Sequence, residues 1–185
     1  MKPIITNTAF VGNYFIANPT APMMAAQLNN VIAINQEAYL RELLGPLYYN
    51  DFAAWFDAND PRPANPTFEG LLTGATFKTL QQSIDMYMPP ISRPITAYCY
   101  SAWNSRNATQ TVAMGEVETD SQNATHSSAI IKVVDRWNEM VSDSIATWEY
   151  LNKQLHNEPN WTSWKYQSKR YYTNGIFIKK NRLDL

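Results

Sequence analysis

The longest regular pattern in the sequence lies between residues 121 and 156, where apolar side chains recur at helical spacing. Successive intervals of four, three, four, four, three, three and four residues separate Ile130, Val134, Trp137, Val141, Ile145, Trp148, Leu151 and Leu155. This spacing places them along one face of an α-helix. A helix of roughly 25 residues is about 38 Å long, so we expect it to be the central helix of a bundle.

A second helical pattern, from Gln27 to Phe56, is interrupted in its middle. Gly45-Pro46 forms the interruption, because Gly can end one helix and Pro can begin the next. Upstream, Thr20 is placed to cap the helix and Pro22 falls in its first turn. We therefore expect two helices that meet at a corner. Their apolar residues are Leu28, Ile32, Tyr39 and Leu43 before the corner and Leu47, Tyr48, Phe52, Trp55 and Phe56 after it.

Shorter elements are predicted around these two patterns. A brief helix is expected over residues 10–15, and a proline-rich loop over 57–70. Phe77, Leu80, Ile84 and Tyr87 then recur at helical spacing, which predicts a helix that ends at Pro89-Pro90. Another helix is predicted from about Ile91 to Arg106, with Pro94 in its first turn.

The least helical segment is Ala108 to Asn123. Its alternating residues and Gly115 predict either two short strands around a turn or one extended arm. The predicted fold is therefore mainly α: a bundle of about four to five helices, with a short β-hairpin or extended arm before the long last helix. We expect a helical domain over residues 1–158, with its arm at about 108–120, and an extended C-terminal tail over 159–185.

The tail differs from the rest of the chain in charge. The whole chain carries −1, but from residue 159 onward six basic residues oppose only Asp184, so this segment carries +5 and residues 1–158 carry −6. The basic residues are Lys165, Lys169, Arg170, Lys179, Lys180 and Arg182. The tail is a separate electrostatic unit.

Aromatic residues alternate with these basic residues, a pattern that fits two kinds of partner. Such a tail can bind single-stranded nucleic acid by stacking and phosphate contacts, or an acidic protein surface with its aromatic residues as anchors. The acidic body favours the protein surface. The predicted partner-binding residues of the tail are Trp161, Trp164, Lys165, Lys169, Arg170, Tyr171, Tyr172 and Phe177. Those of the arm are Thr111, Val112, Met114 and Val117.

No catalytic constellation is predicted. The two histidines, His126 and His156, lie near opposite ends of one predicted helix, about 45 Å apart. Asp135, Glu139 and Asp143 share a helix face and could hold a divalent ion, but the neighbouring basic residues favour a solvated or inter-subunit face. We therefore expect a protein that is not an enzyme and has no cofactor or metal.

Cysteine content and the N-terminal sequence restrict the compartment. Cys99 is the single cysteine, which excludes an internal disulfide, and its aromatic neighbours indicate a buried packing role. The first residues lack the charged and apolar regions of a signal peptide. No apolar run approaches the length of about 20 residues that spans a bilayer. We expect a soluble protein without membrane contact, made in a reducing compartment.

The corner stretch resembles a known family. Residues 35–48 read NQEAYLRELLGPLY, and similar patterns occur in the head–tail connector proteins of tailed bacteriophages, the portal adaptors or head-completion proteins, with the crAss-like phage type most similar. Further similar residues are Ile4-Ile5-Thr6, Pro90-Ile91, Ala97-Tyr98, the segment 111–117 and Trp148-Glu149-Tyr150-Leu151. The resemblance extends over about residues 4–160, and its residues are packing residues rather than chemical groups.

This resemblance implies a structural protein of the virion neck, made in the host cytoplasm. Its subunits would form a homo-oligomeric ring, a dodecamer, beneath the portal protein and around the DNA channel. The ring would connect the portal to the tail or to a further neck ring, and DNA would pass through without specific binding. The alternative is a nucleic-acid-binding module that uses the basic aromatic tail.

Overall fold

The computed structural model describes residues 1–58, 61–80, 84–107, 109–112, 115–118, 127–158 and 161. Four α-helices lie within these residues: α1 (Pro22–Asp57), α2 (Pro66–Thr73), α3 (Ser92–Asn107) and α4 (Ser127–Leu155). Two antiparallel hairpins accompany them, β1 (Ala75–Lys78) with β2 (Asp85–Met88) and β3 (Thr109–Val112) with β4 (Gly115–Glu118). With 69% of residues helical, the predicted mainly α fold is confirmed.

Helix α1 bends at the predicted corner. Gly45 has φ 76° and ψ 162°, a backbone conformation that suits glycine, and Pro46 follows it inside the same long element. Arg41 stabilises the bend from the outer side, because its guanidinium lies 4.3 Å from the ring centre of Tyr49 beyond the corner. Arg41 also pairs with Glu37 at 2.9 Å. The first half of α1 is thereby linked to the second.

The start of α1 corrects one prediction. Pro22 is in the first turn as expected, but the capping position is held by Ala21, which offers no side-chain hydrogen bond. Thr20 is therefore not the cap. The preceding segment forms two 3₁₀ turns, Asn7–Ala9 and Gly12–Tyr14, in place of the predicted brief α-helix. Phe10 lies between the two turns and is fully buried. Short 3₁₀ turns commonly serve as connectors of this kind.

Helix α2 lies partly in a segment that the sequence analysis assigned to a loop. Asn65 caps it: the side-chain oxygen accepts a hydrogen bond from the backbone N–H of Phe68 at 3.1 Å. In return the backbone N–H of Asn65 donates to Glu69 at 3.3 Å. Pro66 occupies the first turn. This reciprocal cap explains how eight residues hold a helix directly after a proline-rich stretch.

Strands β1 and β2 replace the helix predicted from Phe77 onward. Phe77 pairs with Met86 in the antiparallel register and is buried. The other residues of the supposed helical series, Leu80, Ile84 and Tyr87, are exposed. The true pattern has a period of two, because Phe77 and Met88 face the core while Lys78 and Tyr87 face outward. The helix prediction here was wrong.

Helices α3 and α4 pack on each other and on α1 around the core. Helix α4 is confirmed as the long helix, although residues 121–126 of its predicted range lie outside the described residues. The most buried side of its middle part is displaced from the apolar series. Ile145 of that series is 39% exposed, whereas Ser144 and Thr147 are fully buried.

The two buried hydroxyl groups are satisfied within the structure. Ser144 donates to the carbonyl of Met140 at 2.7 Å, and Thr147 to the carbonyl of Asp143 at 2.8 Å. The hydroxyl groups of Ser144 and Tyr39 lie 2.7 Å apart, which joins α4 to α1. Because these small polar groups have partners, their burial needs no access to water. They let the large ring of Tyr39 approach α4 closely.

Candidate functional site

The predicted arm is a hairpin between α3 and α4. Thr109 pairs with Glu118 and Val112 with Gly115, which confirms the two-strand form of the prediction. Thr111 and Val112 lie in β3 and Val117 in β4, whereas Met114 lies outside the described residues. The hairpin continues directly from the end of α3, which is its main neighbour.

Each strand of this hairpin has one outer edge, the side that does not face its partner strand. Each strand has four residues and so a length of about 13 Å. Within the described part of the chain, no third strand joins β3 or β4. An unpaired edge presents N–H and C=O groups to which an extended segment of another chain can add.

Of the predicted tail residues, only Trp161 is among those described. It is fully buried, and its ring meets that of Tyr48 edge-on, with 5.4 Å between ring centres and an interplanar angle of 86°. Trp161 therefore contacts the body of its own chain, and its predicted role in partner binding stays a prediction. The other tail residues, Trp164, Lys165, Lys169, Arg170, Tyr171, Tyr172 and Phe177, lie outside the described residues, and their partner-binding role stays a prediction.

A cleft of about 530 Å³ lies beside this contact. It is formed by the second half of α1, the start of α2 and the end of α4. Aromatic and aliphatic side chains make its walls, and two carboxylates lie among them. The lining residues are Leu47, Tyr48, Asp51, Ala54, Trp55, Asn65, Thr67, Phe68, Leu155 and Glu158.

The electrostatic character of this cleft is acidic. Burial raises the pKa of the Tyr48 hydroxyl first, and the carboxylates of Glu158 and Asp51 raise that pKa further. Both acids therefore act on the tyrosine that contacts Trp161. Beside the cleft, the guanidinium of Arg62 lies 4.7 Å from the ring centre of Phe56 and 5.4 Å from that of Trp55. The aromatic wall thus already holds one cation by its ring faces.

Charged side chains also meet between α3 and α4. Arg93 contacts Glu139 at 2.9 Å and Asp143 at 3.0 Å, and Arg136 contacts Glu139 at 2.6 Å. Asp135 is exposed and takes no part in these ion pairs. The expectation of a solvated or inter-subunit face is therefore wrong for Glu139 and Asp143, because these two residues face Arg93 of α3.

Burial is the largest cause of the pKa shifts of Asp143 and Tyr14 in this cluster. It raises the pKa of Asp143 to about 6, even though Arg93 acts in the opposite direction. Burial likewise raises the pKa of Tyr14 to about 12, and the nearby Glu139 adds to this effect. The Arg93 Nε–H donates a hydrogen bond to Glu139 at 3.1 Å. The same nitrogen lies 3.0 Å from Asp143 Oδ2, but the two atoms do not form a well-aligned hydrogen bond, so their interaction is the attraction of opposite charges.

The part of the chain that is described offers no other chemical centre. Among those residues, no group of histidine, cysteine, aspartate or glutamate side chains is placed to hold a metal ion. Cys99 is buried as predicted, and burial raises the pKa of its thiol to about 12. Of the helices in the described segments, none is both long enough and apolar enough to span a membrane.

Sequence reasoning missed the acidic cleft. Its lining residues come from three elements that lie far apart in the sequence, so their proximity depends on the tertiary fold. One local signal was present: Leu47, Asp51 and Ala54 recur at helical spacing and so share a side of α1. No family model, curated protein or solved structure matches the chain.

Proposed function

We propose that this protein is a structural subunit of a tailed-phage neck, a head–tail connector that forms a ring beneath the portal. The observation that carries the proposal is the β3–β4 hairpin, which lies between α3 and α4 in the chain and which no third strand joins among the described residues. A ring subunit can use such a segment to engage its neighbour. The resemblance of residues 35–48 to connector proteins supplies the identity of the ring.

The charge of the body supports the same proposal. Residues 1–158 carry −6, and an acidic surface disfavours tight binding to DNA phosphates. This suits a ring whose channel DNA must traverse. The proposal requires no active site.

The experiment combines the full-length protein with the portal protein of the same phage. We expect native mass spectrometry and electron microscopy to show a closed ring, a dodecamer, for the protein alone or on the portal. A variant in which a flexible Gly-Ser linker replaces residues 109–118 should remain folded but lose the ring, because the edges of the arm are gone. Ring assembly that is unchanged in this variant would remove the role of the arm.

A second variant separates the tail from the body. Because Trp161 is buried against Tyr48, the chain should be ended after Trp161 rather than at Pro159. If this variant assembles with the portal as well as the full chain does, the tail has no role in portal binding. Salt-sensitive binding of single-stranded DNA by the full chain, without ring formation, would instead favour the nucleic-acid-binding alternative.

A further inference from the structure

We propose that the acidic cleft is the docking site of this chain's own basic aromatic segment, residues 162–170. This proposal does not rest on the ring function, since it concerns a contact within one chain. It assigns a role to the cleft formed by α1, α2 and α4 and to the basic residues that follow Trp161.

Position is the first argument. Trp161 is fully buried against Tyr48, and Tyr48 also lines the cleft. Trp161 is therefore placed beside the cleft wall, and the segment 162–170 follows it directly in the sequence. Nine extended residues reach up to about 30 Å. The segment is thus tethered next to the site at a high effective concentration.

Charge is the second argument. Asp51 and Glu158 line the cleft, and no lysine or arginine is found among the described residues that line it. The segment 162–170 contains Lys165, Lys169 and Arg170 and no acidic residue. Since both carboxylates belong to exposed residues, their attraction to these bases depends on salt. Opposite charges at such short tether lengths favour docking in the same molecule.

The apolar character of the cleft is the third argument. Trp55 and Phe68 form aromatic walls, and Leu47 at the rim is 56% exposed. Because Trp55 and Phe68 are only 8% and 6% exposed, Leu47 is the group that Trp164 or Tyr166 of the segment would cover. Aromatic anchors with flanking cations are the residue types that such a cleft binds best. Arg62, which lies over Trp55 and Phe56, shows that the rings accept a guanidinium.

Paramagnetic relaxation in NMR spectra of the full chain tests the proposal. A nitroxide is attached to a Ser168→Cys variant, and the native Cys99 stays unlabelled because it is fully buried. We expect loss of amide signal at residues 47–55 and 155–158. The double variant Asp51→Lys with Glu158→Lys should restore the signals, as should 1 M salt, which shortens the screening length to about 3 Å. The matched control is Asp85→Lys, an exposed acid on β2, and it should leave the signal loss unchanged.

Two outcomes would overturn the proposal. One is a labelled chain without signal loss around the cleft, or with a loss that the charge reversal does not alter. The other appears when isotope-labelled chains without the nitroxide are mixed with nitroxide-bearing chains at natural isotope abundance. Signal loss in that mixture would place the segment in the cleft of a second copy rather than its own. Neither result depends on whether the protein forms a ring with the portal, so failure here and failure of the neck function are distinguishable.

Discussion

The two hairpins of this protein have strands of equal length but differ in their described contacts with the helical body. In β1–β2, Phe77 and Met88 are buried, and the ring of Phe77 lies 5.6 Å from that of Tyr150 on α4. The β3–β4 hairpin continues from α3, its main described neighbour. An isolated two-stranded hairpin is only marginally stable in water. The first hairpin is therefore stabilised by the body, whereas the role proposed for the second is contact with a neighbouring subunit.

The largest expected effect lies in the β1–β2 hairpin, the inner hairpin. Phe77→Ala removes a buried aromatic ring from the contact with Tyr150, and we expect the free energy of unfolding to fall by about 3–5 kcal/mol. Urea denaturation measures this change. The matched control is Tyr87→Ala on the paired strand, where the side chain is 59% exposed, and its cost should stay below about 1 kcal/mol. Equal costs at the two positions would break the comparison, since the inner hairpin would then not depend on the core.

The next effect concerns α4, the helix on which the inner hairpin packs. Because burial raises the pKa of Asp143 from its usual 3.8 to about 6, the folded state holds this proton more tightly than the unfolded state. The stabilisation from the protonated form is complete below about pH 4 and is lost as pH rises through 6. The loss amounts to about 3 kcal/mol at most.

The Asp143 prediction is measured by urea denaturation between pH 4 and pH 7.5. Asp143→Asn should remove this part of the pH dependence and leave the variant relatively more stable at neutral pH. Asp135→Asn, on the exposed side of the same helix, is the control and should keep the wild-type profile. If Arg93 dominates instead of burial, the stability difference between wild type and Asp143→Asn will have the opposite slope.

A smaller effect is expected where α2 meets α4. A Cβ on Gly70 would collide with the phenol oxygen of Tyr150 and lie 2.8 Å from its Cζ. The Tyr150 ring cannot move freely, because it is buried and packs against Phe77. We expect Gly70→Ala to cost about 1–3 kcal/mol in thermal or urea unfolding. In a Tyr150→Phe background the cost should fall but not vanish, and an unchanged cost would locate the strain elsewhere.

The smallest effect is expected in the β3–β4 hairpin, the outer hairpin. Replacement of residues 109–118 by a Gly-Ser linker should change the free energy of unfolding by no more than about 0.5 kcal/mol. Urea denaturation of the unassembled protein measures it, under conditions in which a ring is absent. A loss comparable to that of Phe77→Ala would show that the outer hairpin belongs to the core, which would remove the contrast between the two.

The two hairpins also show what sequence alone can predict. The outer hairpin was predicted because its signals are local: alternating residues, a glycine and few helix formers. The inner hairpin was missed because Phe77, Leu80, Ile84 and Tyr87 also match helical spacing. Only the contact of Phe77 with Tyr150, far along the chain, selects the period of two over that of 3.6. Local pattern was sufficient where tertiary packing was not decisive.

The long helices and the corner were likewise predictable, whereas the cleft was not. Apolar spacing and the Gly45-Pro46 pair are visible in the sequence and correspond to α1, α3 and α4. The buried side of α4, which is displaced from its apolar series, could not be predicted. Ser144 and Thr147 are polar, and they can be buried there only because each donates a hydrogen bond to a backbone carbonyl. The cleft depends on three elements at once, so the fold determines which residues lie beside Asp51 and Glu158.

The bend in α1 has a consequence for how this chain tolerates change in length. Each residue added to a helix rotates everything beyond it by about 100°. One residue inserted in the helical turn that follows Pro46 would turn Phe52 and Trp55 away from Phe68, whose ring centre now lies 5.4 and 5.5 Å from theirs. The cleft would lose an aromatic wall while both halves of α1 stayed helical. The rotational phase of the second half is therefore set just beyond the corner, and insertions in homologous chains should avoid residues 47–55.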